Sequence, residues 1–175
     1  EPEISTNDKL KFLRVDLNDL ASLKKALEGI DAVYHLAGVV LKGMKQNPYL
    51  GNRLNIGGTL NVLESCVHNE INKIIFASTF YVYDCVKGLD SVDEKTKLDV
   101  FSSDFFGASK IMCESLVKKY SEKYDLNYSI LRFGSVYGPG KSSNAIRNFI
   151  TNTIQNKENV IWGNGSRANQ FTNVD

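Results

Sequence analysis

The sequence predicts an α/β fold, a doubly wound parallel sheet with helices on both faces. Short apolar runs alternate with longer segments in which apolar residues recur every three or four positions. The central runs are continuously hydrophobic, as strands covered on both sides require. The segment between successive runs is long enough for a crossover helix, and such βαβ units build parallel sheets.

Each element is predicted by its own local pattern. The run KFLRV is a strand, the Asp and Asn residues after it begin a helix, and Gly29 ends that helix. Continuous apolar runs predict the next strands, and the polar stretch between Thr79 and Asp104 predicts a long loop. The predicted strands are 11–15, 31–36, 71–77, 128–133 and 160–162, and the predicted helices are 16–27, 50–69, 105–124 and 144–155. The helix over 105–124 has an apolar stripe formed by Ala108, Ile111, Met112, Leu116, Val117 and Tyr120.

Composition excludes several classes of protein. The chain has 175 residues with 21 basic and 20 acidic side chains, so it carries no charge surplus for nucleic acid or an anionic membrane. No apolar run reaches the roughly 18 residues that a membrane-spanning helix needs. Three widely spaced cysteines without a CxxC pair predict neither a disulfide framework nor a metal site, and they fit a reducing, cytoplasmic location.

The predicted strands place candidate ligand-binding residues at one edge of the sheet. In an open parallel sheet, ligands bind beyond the carboxyl ends of the strands. Gly38 by itself is better explained as a turn glycine, and Asp16 is equally explained as a helix N-cap. His35 is interpreted as a packed, hydrogen-bonded side chain without a catalytic role. The segments that follow strands in this way are 16–17, 36–38, 78–79 and 133–135.

Five short motifs occur in order along the chain. They are HLAG at 35–38, NIGGT at 55–59, STxxVY at 78–83, GASK at 107–110 and LRFGSVYGP at 131–139. Each motif is weak by itself, but five in register resemble the extended short-chain dehydrogenase/reductases, the group of NAD-dependent nucleotide-sugar epimerases and dehydratases. The resemblance runs from about residue 12 to residue 175 and implies a Rossmann-like fold.

The resemblance implies a nicotinamide cofactor, NAD or NADP, with NAD favoured. Small residues after a strand suit this function because the backbone must approach the dinucleotide closely. Asn55 matches an asparagine beside the cofactor, and a helix-surface asparagine is an equally weighted alternative. The cofactor-binding residues that the resemblance implies are Asp16, Leu17, Leu36, Ala37, Gly38, Asn55, Lys110, Phe133, Gly134 and Val136.

The resemblance also implies a catalytic set of hydroxyl, tyrosine and lysine. Thr79 is the hydroxyl that orients the sugar oxygen, and Lys110 holds the cofactor ribose and lowers the pKa of a tyrosine one helical turn earlier. Phe106 stands at that tyrosine position and cannot exchange a proton. A natural variant, a protein that only binds its ligands, and an engineered replacement are the three explanations. Tyr81 is a weak substitute candidate, and Tyr83 is interpreted as structural.

The substrate implied by the resemblance is a nucleotide sugar. Ser135 replaces an asparagine that contacts the diphosphate, and Asn169 stands where an arginine would pair with phosphate. Arg167 lies two positions away and could compensate, or it could be an exposed loop residue. A dehydratase is disfavoured because Phe80 and Tyr81, rather than carboxylates, follow the hydroxyl residue. An epimerase or reductase remains, with a non-catalytic dinucleotide-binding protein as the alternative.

The motif order further predicts how much of the family fold the chain contains. The expectation is an internal portion that lacks the first two strands, the glycine-rich turn and most of the C-terminal substrate lobe. Residues 1–140 would form a partial dinucleotide-binding domain, and residues 141–175 would begin the substrate lobe. The helices that begin near residues 50 and 105 are those that pair family members, so the resemblance implies a homodimer.

Overall fold

A computed structural model describes residues 10–84, 91–139, 145–161, 163–164 and 170–174. The chain divides into two compact units, residues 1–131 and 132–175. No described helix is long and apolar enough to cross a membrane. The fold is α/β with parallel strand pairing, as the sequence predicts.

The first unit is organised around a three-stranded sheet. Its strands are β1 (Ala32–His35), β2 (Lys73–Thr79) and β3 (Asn127–Phe133), in that spatial order, with β3 continuing into the second unit. Strands β1 and β2 pair in parallel, with Val33 opposite Ile74 and His35 opposite Phe76. This register puts the ends of β1 and β2 at the same edge of the sheet, where the candidate residues follow.

The helices of this unit connect the strands. They are α1 (Leu20–Ala26), α2 (Leu41–Gln46), α3 (Pro48–Asn52), α4 (Gly58–His68) and α5 (Phe105–Tyr124), and a π-helical turn, Arg53–Gly57, joins α3 to α4. Short 3₁₀ turns occupy Phe80–Tyr83 and Val100–Ser102. Side chains of Asp19, Asn47 and Asp104 accept hydrogen bonds from the first turns of α1, α3 and α5, so each of these helices begins at a capping residue.

The hydrophobic core lies on one face of the sheet. Val33, Ile74 and Phe76 share that face because side chains alternate along a strand and these positions are in register. On the opposite face, Tyr34 is 69% exposed. Within residues 10–84 and 91–131, the helices therefore pack on the face of the sheet that carries Val33, Ile74 and Phe76. The helical residues of the core are Leu23 of α1, Val62, Leu63 and Cys66 of α4, and Cys113 and Val117 of α5.

The strand predicted over 11–15 is wrong. Residues 10–15 have no regular secondary structure, and Phe12 is 73% exposed. A strand needs a hydrogen-bonded neighbour, and the described sheet of this unit contains β1, β2 and β3 alone. The helix that follows starts at Leu20 rather than at residue 16.

The apolar stripe predicted for α5 is also partly wrong. Val117 is buried, but Met112 is 46% exposed. The buried face instead carries the polar side chains of Ser109, Lys110 and Glu114. Periodicity identifies apolar faces, so it could not find a helix face that buries polar groups for a site.

The second unit contains β4 (Ser135–Tyr137), α6 (Ala145–Ile154) and β5 (Phe171–Asn173). Strands β4 and β5 pair in parallel, with Ser135 opposite Phe171. The strand predicted over 160–162 is not formed by Val160 and Ile161, which are irregular and about two-thirds exposed, and residue 162 lies outside the described residues. A short apolar run predicts a strand poorly, because strand formation also depends on a neighbouring strand to pair with.

Candidate active site

Thr79, Phe106 and Lys110 belong to the junction between β2 and α5. Thr79 is the last residue of β2, is 8% exposed, and its Oγ1 accepts a hydrogen bond of 3.3 Å from the Tyr81 amide. Asp104 begins α5 by accepting from the Gly107 amide at 2.8 Å. The first turns of α5 pack against the end of β2 and the 3₁₀ turn after it. The predicted hydroxyl and lysine therefore occupy adjoining elements.

Lys110 is a buried lysine at the end of the sheet. Its side chain is 8% exposed, and Nζ donates a 2.8 Å hydrogen bond to the Ala77 carbonyl. The ammonium group also lies 4.7 Å from the centre of the Phe76 ring. Burial lowers the pKa of Lys110, while Cys113 and Glu114 act in the opposite direction. A buried ammonium group is costly unless other groups compensate its charge and accept its hydrogen bonds.

Phe106 stands at the position where the resemblance implies a tyrosine. The ring is 6% exposed and packs edge-on against Tyr81, with 5.8 Å between the ring centres. It lies four residues before Lys110, which puts both side chains on the same face of α5. The Tyr83 hydroxyl donates to the Asp93 carbonyl at 2.9 Å, which agrees with a structural role for Tyr83.

Asn55 fixes the turn that follows β1. Its side chain is 3% exposed, Oδ1 accepts from the Val39 amide at 2.6 Å, and Nδ2 donates to the Val39 carbonyl at 3.0 Å. Nδ2 also donates to Ser109 Oγ at 3.1 Å, which ties the turn to α5. The alternative of a helix-surface asparagine is therefore wrong. Contact between Asn55 and a cofactor stays a prediction.

Gly38 lies where Asn55 and Lys110 meet the turn. A Cβ atom at Gly38 would come within 2.9 Å of Asn55 Oδ1 and 3.9 Å of Lys110 Nζ. The first distance is shorter than packed side chains tolerate, so this position needs a residue without a side chain. Leu36, Ala37 and Gly38 are all exposed, which leaves the turn open to a ligand.

We predict that Gly38→Ala destabilises the protein by about 1–3 kcal/mol, because the new methyl group pushes Asn55 off the Val39 backbone. Thermal unfolding measures this effect. Gly57→Ala is the matched control, since a Cβ there meets nothing within 4 Å. Equal unfolding temperatures for the two variants would contradict the proposed crowding at Gly38.

His35 is a packed, hydrogen-bonded side chain, which agrees with the interpretation from the sequence. It is 4% exposed, and Nε2 lies 3.0 Å from Thr59 Oγ1. Burial, with a smaller contribution from the Lys110 charge, lowers the pKa of His35 to about 4. The imidazole is therefore neutral at neutral pH and must be protonated when the protein unfolds in acid.

The lowered pKa of His35 predicts a loss of stability in acid. The unfolded chain binds a proton near pH 6.5 and the folded chain only near pH 4, so protonation favours unfolding between these values. In that window the free energy of unfolding falls by about 1.4 kcal/mol per pH unit from this residue. Denaturant titrations of His35→Gln should show a shallower pH slope. The exposed His68→Gln variant is the control and should keep the full slope.

Asp16 and Leu17 lie before α1. The exposed Asp16 carboxylate accepts from the Asn18 amide at 2.9 Å, and these hydrogen bonds lower its pKa. The alternative of an N-cap is wrong for Asp16, because Asp19 caps α1. Leu17 packs on the core, and its carbonyl accepts from Asn61 at 2.8 Å. Their contact with a cofactor adenine stays a prediction.

The remaining predicted residues belong to the second unit. Gly134 is closely packed, since a Cβ there would lie 2.6 Å from the Gln170 carbonyl oxygen. The Ser135 amide donates to that carbonyl at 2.7 Å. Ser135 and Val136 lie in β4, and Phe133 is 36% exposed. Arg167 and Asn169 lie outside the described residues. No cluster of potential metal ligands occurs among the described side chains.

Sequence reasoning missed Glu114 beneath the site, and it placed Ser78 only among the residues that follow a strand. Ser78 Oγ donates a 2.6 Å hydrogen bond to Glu114 Oε1, and both side chains are buried. The signal was available, because Glu114 follows Lys110 by one helical turn and Ser78 precedes Thr79. A glutamate on an otherwise apolar helix face is read as solvated unless the fold is known.

A model of the NAD-dependent epimerase/dehydratase family matches residues 1–175. The chain belongs to this family. It is 32% identical over 177 residues to a UDP-glucuronate 4-epimerase of Thermodesulfobacterium geofontis, covering 99% of this chain and 54% of the relative. It is 29% identical over 174 residues to a putative UDP-glucose 4-epimerase of Methanocaldococcus jannaschii, covering 96% and 56%. The chain thus spans about half the length of the curated relatives that it matches.

Solved structures of the epimerase/dehydratase family share the fold of this chain. A UDP-N-acetylglucosamine 4-epimerase from Methanobrevibacter ruminantium, in complex with UDP-N-acetylmuramic acid, has a TM-score of 0.80 and is 30% identical to this chain. The similarity covers 93% of this chain and 53% of that protein's chain. A UDP-glucuronic acid 4-epimerase from Bacillus cereus, in complex with UDP-glucuronic acid and NAD, has a TM-score of 0.73 at 28% identity, with 89% of this chain covering 50% of it. The Rossmann-like fold expected from the sequence is confirmed.

Proposed function

We propose that this chain is part of an NAD-dependent epimerase or oxidoreductase that acts on a nucleotide sugar at a sugar carbinol. The observation that carries the proposal is the buried Lys110 ammonium group at the carboxyl end of the sheet, on an element adjoining Thr79 and close to the open turn at Gly38. A lysine is costly to bury, and a ligand that accepts its hydrogen bonds accounts for its position.

The residues at this edge of the sheet fit NAD. The exposed Ala37–Gly38 turn lets a dinucleotide approach the backbone, and the missing Cβ of Gly38 keeps that surface open beside Lys110. Lys110 would hold the ribose hydroxyls, and Ala37 and Gly38 would line the ribose and pyrophosphate. Bound NAD supplies the hydride acceptor for oxidation of the sugar carbinol. NAD is favoured over NADP because relatives of known structure hold NAD.

The side chains of Thr79 and Phe106 determine how the site can orient the sugar oxygen and accept its proton. The Thr79 hydroxyl would hydrogen-bond the reacting sugar oxygen and orient it. The Phe106 ring keeps the packing of a tyrosine but carries no group that accepts the carbinol proton. The proposed reaction is therefore slow unless another side chain accepts the proton. Tyr81 is a candidate because its ring contacts that of Phe106.

The residues after Thr79 favour an epimerase or reductase over a dehydratase. In the dehydratases of the group that the sequence resembles, two carboxylic acids directly follow the hydroxyl residue and serve as acid and base for the removal of water. Phe80 and Tyr81 occupy those positions in the 3₁₀ turn, and their rings are in contact, tilted by 35° with 4.6 Å between their centres. Neither side chain is a carboxylic acid.

The second candidate is a non-catalytic dinucleotide-binding protein of the same fold that acts as a sensor or scaffold. The buried Phe106 favours it, since a binding protein needs the packing of the ring and not the hydroxyl group. This candidate keeps the same role for Lys110 and predicts NAD binding without turnover.

We also propose a homodimer in the cytoplasm. The proposal rests on the resemblance, which assigns pairing to the helices beginning near residues 50 and 105. The buried free thiols of Cys66 and Cys113 are compatible with a reducing compartment.

Two experiments on the full-length protein test the proposed function. Calorimetric titration measures NAD binding, and an assay of UDP-sugar epimerisation in deuterated water shows whether the hydride returns to the sugar without exchange with solvent. We expect NAD binding and slow epimerisation. NAD binding without any turnover would favour the sensor or scaffold, and no NAD binding would overturn both.

A further inference from the structure

A buried carboxylate lies one helical turn beyond Lys110. Glu114 is 2% exposed, and its Oε1 accepts a 2.6 Å hydrogen bond from Ser78 Oγ, which is 5% exposed. Removal of a carboxylate from water costs several kcal/mol unless the charge is compensated. A neutral side chain would tie β2 to α5 more cheaply, so the charge itself calls for an explanation.

Glu114 and Lys110 face the same interior. They are four residues apart on α5 and both lie on its buried face. Among the described residues, three titratable groups act on the Lys110 charge: His35 from β1, and Cys113 and Glu114 from α5 itself. Burial keeps the His35 imidazole neutral by lowering its pKa, and burial keeps the Cys113 thiol neutral by raising its pKa. Among these three groups, Glu114 is the carboxyl group, and its interaction with Lys110 raises the pKa of the lysine.

The Ser78 hydrogen bond fixes where that charge lies. Ser78 immediately precedes Thr79 on β2, so the carboxylate is anchored to the strand that carries the proposed substrate-orienting hydroxyl. Burial of Lys110 disfavours its charged form, and a fixed negative charge nearby opposes that effect.

We propose that Glu114 is a positioning residue for Lys110, whose carboxylate, anchored on Ser78, keeps the lysine protonated and aimed at the end of β2. The role of Lys110 toward a cofactor rests on the proposed function. The effect of Glu114 on the charge of Lys110 does not depend on it.

Two variants separate this electrostatic role from a simple structural tie. Glu114→Gln keeps an oxygen that accepts the Ser78 hydrogen bond but removes the charge. Ser78→Ala removes the hydrogen bond and keeps the charge. A structural tie predicts that Ser78→Ala has the larger effect on every property, whereas the electrostatic role predicts the larger effect on Lys110 from Glu114→Gln.

The test is a titration of the lysine side-chain signals by heteronuclear NMR in the full-length protein without cofactor, with the Lys110 signal assigned by its loss in Lys110→Met. We expect Glu114→Gln to lower the pKa of Lys110 by about 1 unit and Ser78→Ala to lower it by less. An unchanged Lys110 titration in Glu114→Gln would overturn the proposal.

The pH dependence of NAD binding provides the second readout. The alkaline limit of NAD binding should move to lower pH in Glu114→Gln by the same amount as the Lys110 titration. A shifted Lys110 titration in a protein that binds no NAD would support the electrostatic role of Glu114 while overturning the proposed function. An unshifted Lys110 titration with intact NAD binding would overturn the electrostatic role of Glu114 and leave the proposed function supported.

Discussion

A Phe106→Tyr variant is expected to raise the rate of epimerisation about 10²–10⁴-fold, the contribution typical of one general acid–base group. The new phenol would lie one helical turn before Lys110, whose charge lowers the pKa of a neighbouring phenol. The ring already occupies this place, is 6% exposed and packs edge-on against Tyr81, so the substitution adds one hydroxyl group to an existing ring. Steady-state kinetics with UDP sugars measures the change in kcat.

The pH dependence of the variant identifies the source of the gain. If the new phenol accepts the carbinol proton, kcat should rise with pH through the phenol pKa, and the wild-type protein should lack that limb. Tyr81→Phe is the matched control in both backgrounds. If the Tyr81→Phe substitution in the wild-type background abolished activity, Tyr81 would be the group that accepts the proton, which Phe106 cannot do. Unchanged turnover in Phe106→Tyr, with NAD bound, would contradict the enzyme proposal and favour the sensor or scaffold.

Lys110→Met is expected to weaken NAD binding about 10–100-fold, because one charged hydrogen-bond donor contributes about 1.5–3 kcal/mol. Two opposing effects act on the free energy of unfolding of this variant. Methionine removes the cost of burying the lysine charge, whereas the loss of the hydrogen bond to the Ala77 carbonyl and of the positive charge near the buried Glu114 carboxyl lowers stability. We expect these effects nearly to cancel, with a net change of less than about 1 kcal/mol. Calorimetry with NAD and chemical denaturation measure the two quantities.

The control for Lys110→Met is Lys118→Met, which removes an exposed lysine from the same helix. It should leave both NAD affinity and stability near their wild-type values. Equal losses of affinity in the two variants would indicate a general effect of net charge. A large loss of stability in Lys110→Met would mean that the lysine serves the fold and not a ligand.

The sequence predicted the fold through features that are local. The runs at 31–36, 71–77 and 128–133 form strands within two residues of the expected ends, and α5 begins and ends as predicted. The strand expected at 11–15 failed because pairing depends on a neighbour, which local pattern does not encode. The pairing of 135–137 with 171–173 was missed for the same reason.

The site residues that belong to a sequence motif were predicted, whereas the hydrogen-bond pairs formed by tertiary contacts were missed. Thr79 and Lys110 came from the motifs, and the structure puts them on adjoining elements. The Asn55 hydrogen bonds to Val39 join residues 16 positions apart, and Ser78 and Glu114 lie 36 apart. Such partners are set by tertiary packing, so a single sequence offers the residue types but not the pairs.

The π-helical turn at Arg53–Gly57 has a consequence for how this chain can change length. The turn holds one residue more than an α-helical turn, and the Asn55 carbonyl within it accepts a 3.4 Å hydrogen bond from the Cys113 thiol. Deletion of one residue from this segment would close it to an α-helical turn and leave the phase between α3 and α4 nearly unchanged, because five residues of a π turn and four of an α turn complete about the same rotation. The residue lost would instead come from the turn that holds Asn55, whose side chain bonds the Val39 backbone and supports the turn beside Gly38. A change of length in this segment is therefore constrained by the position of Asn55 and not by the phase of the two helix halves.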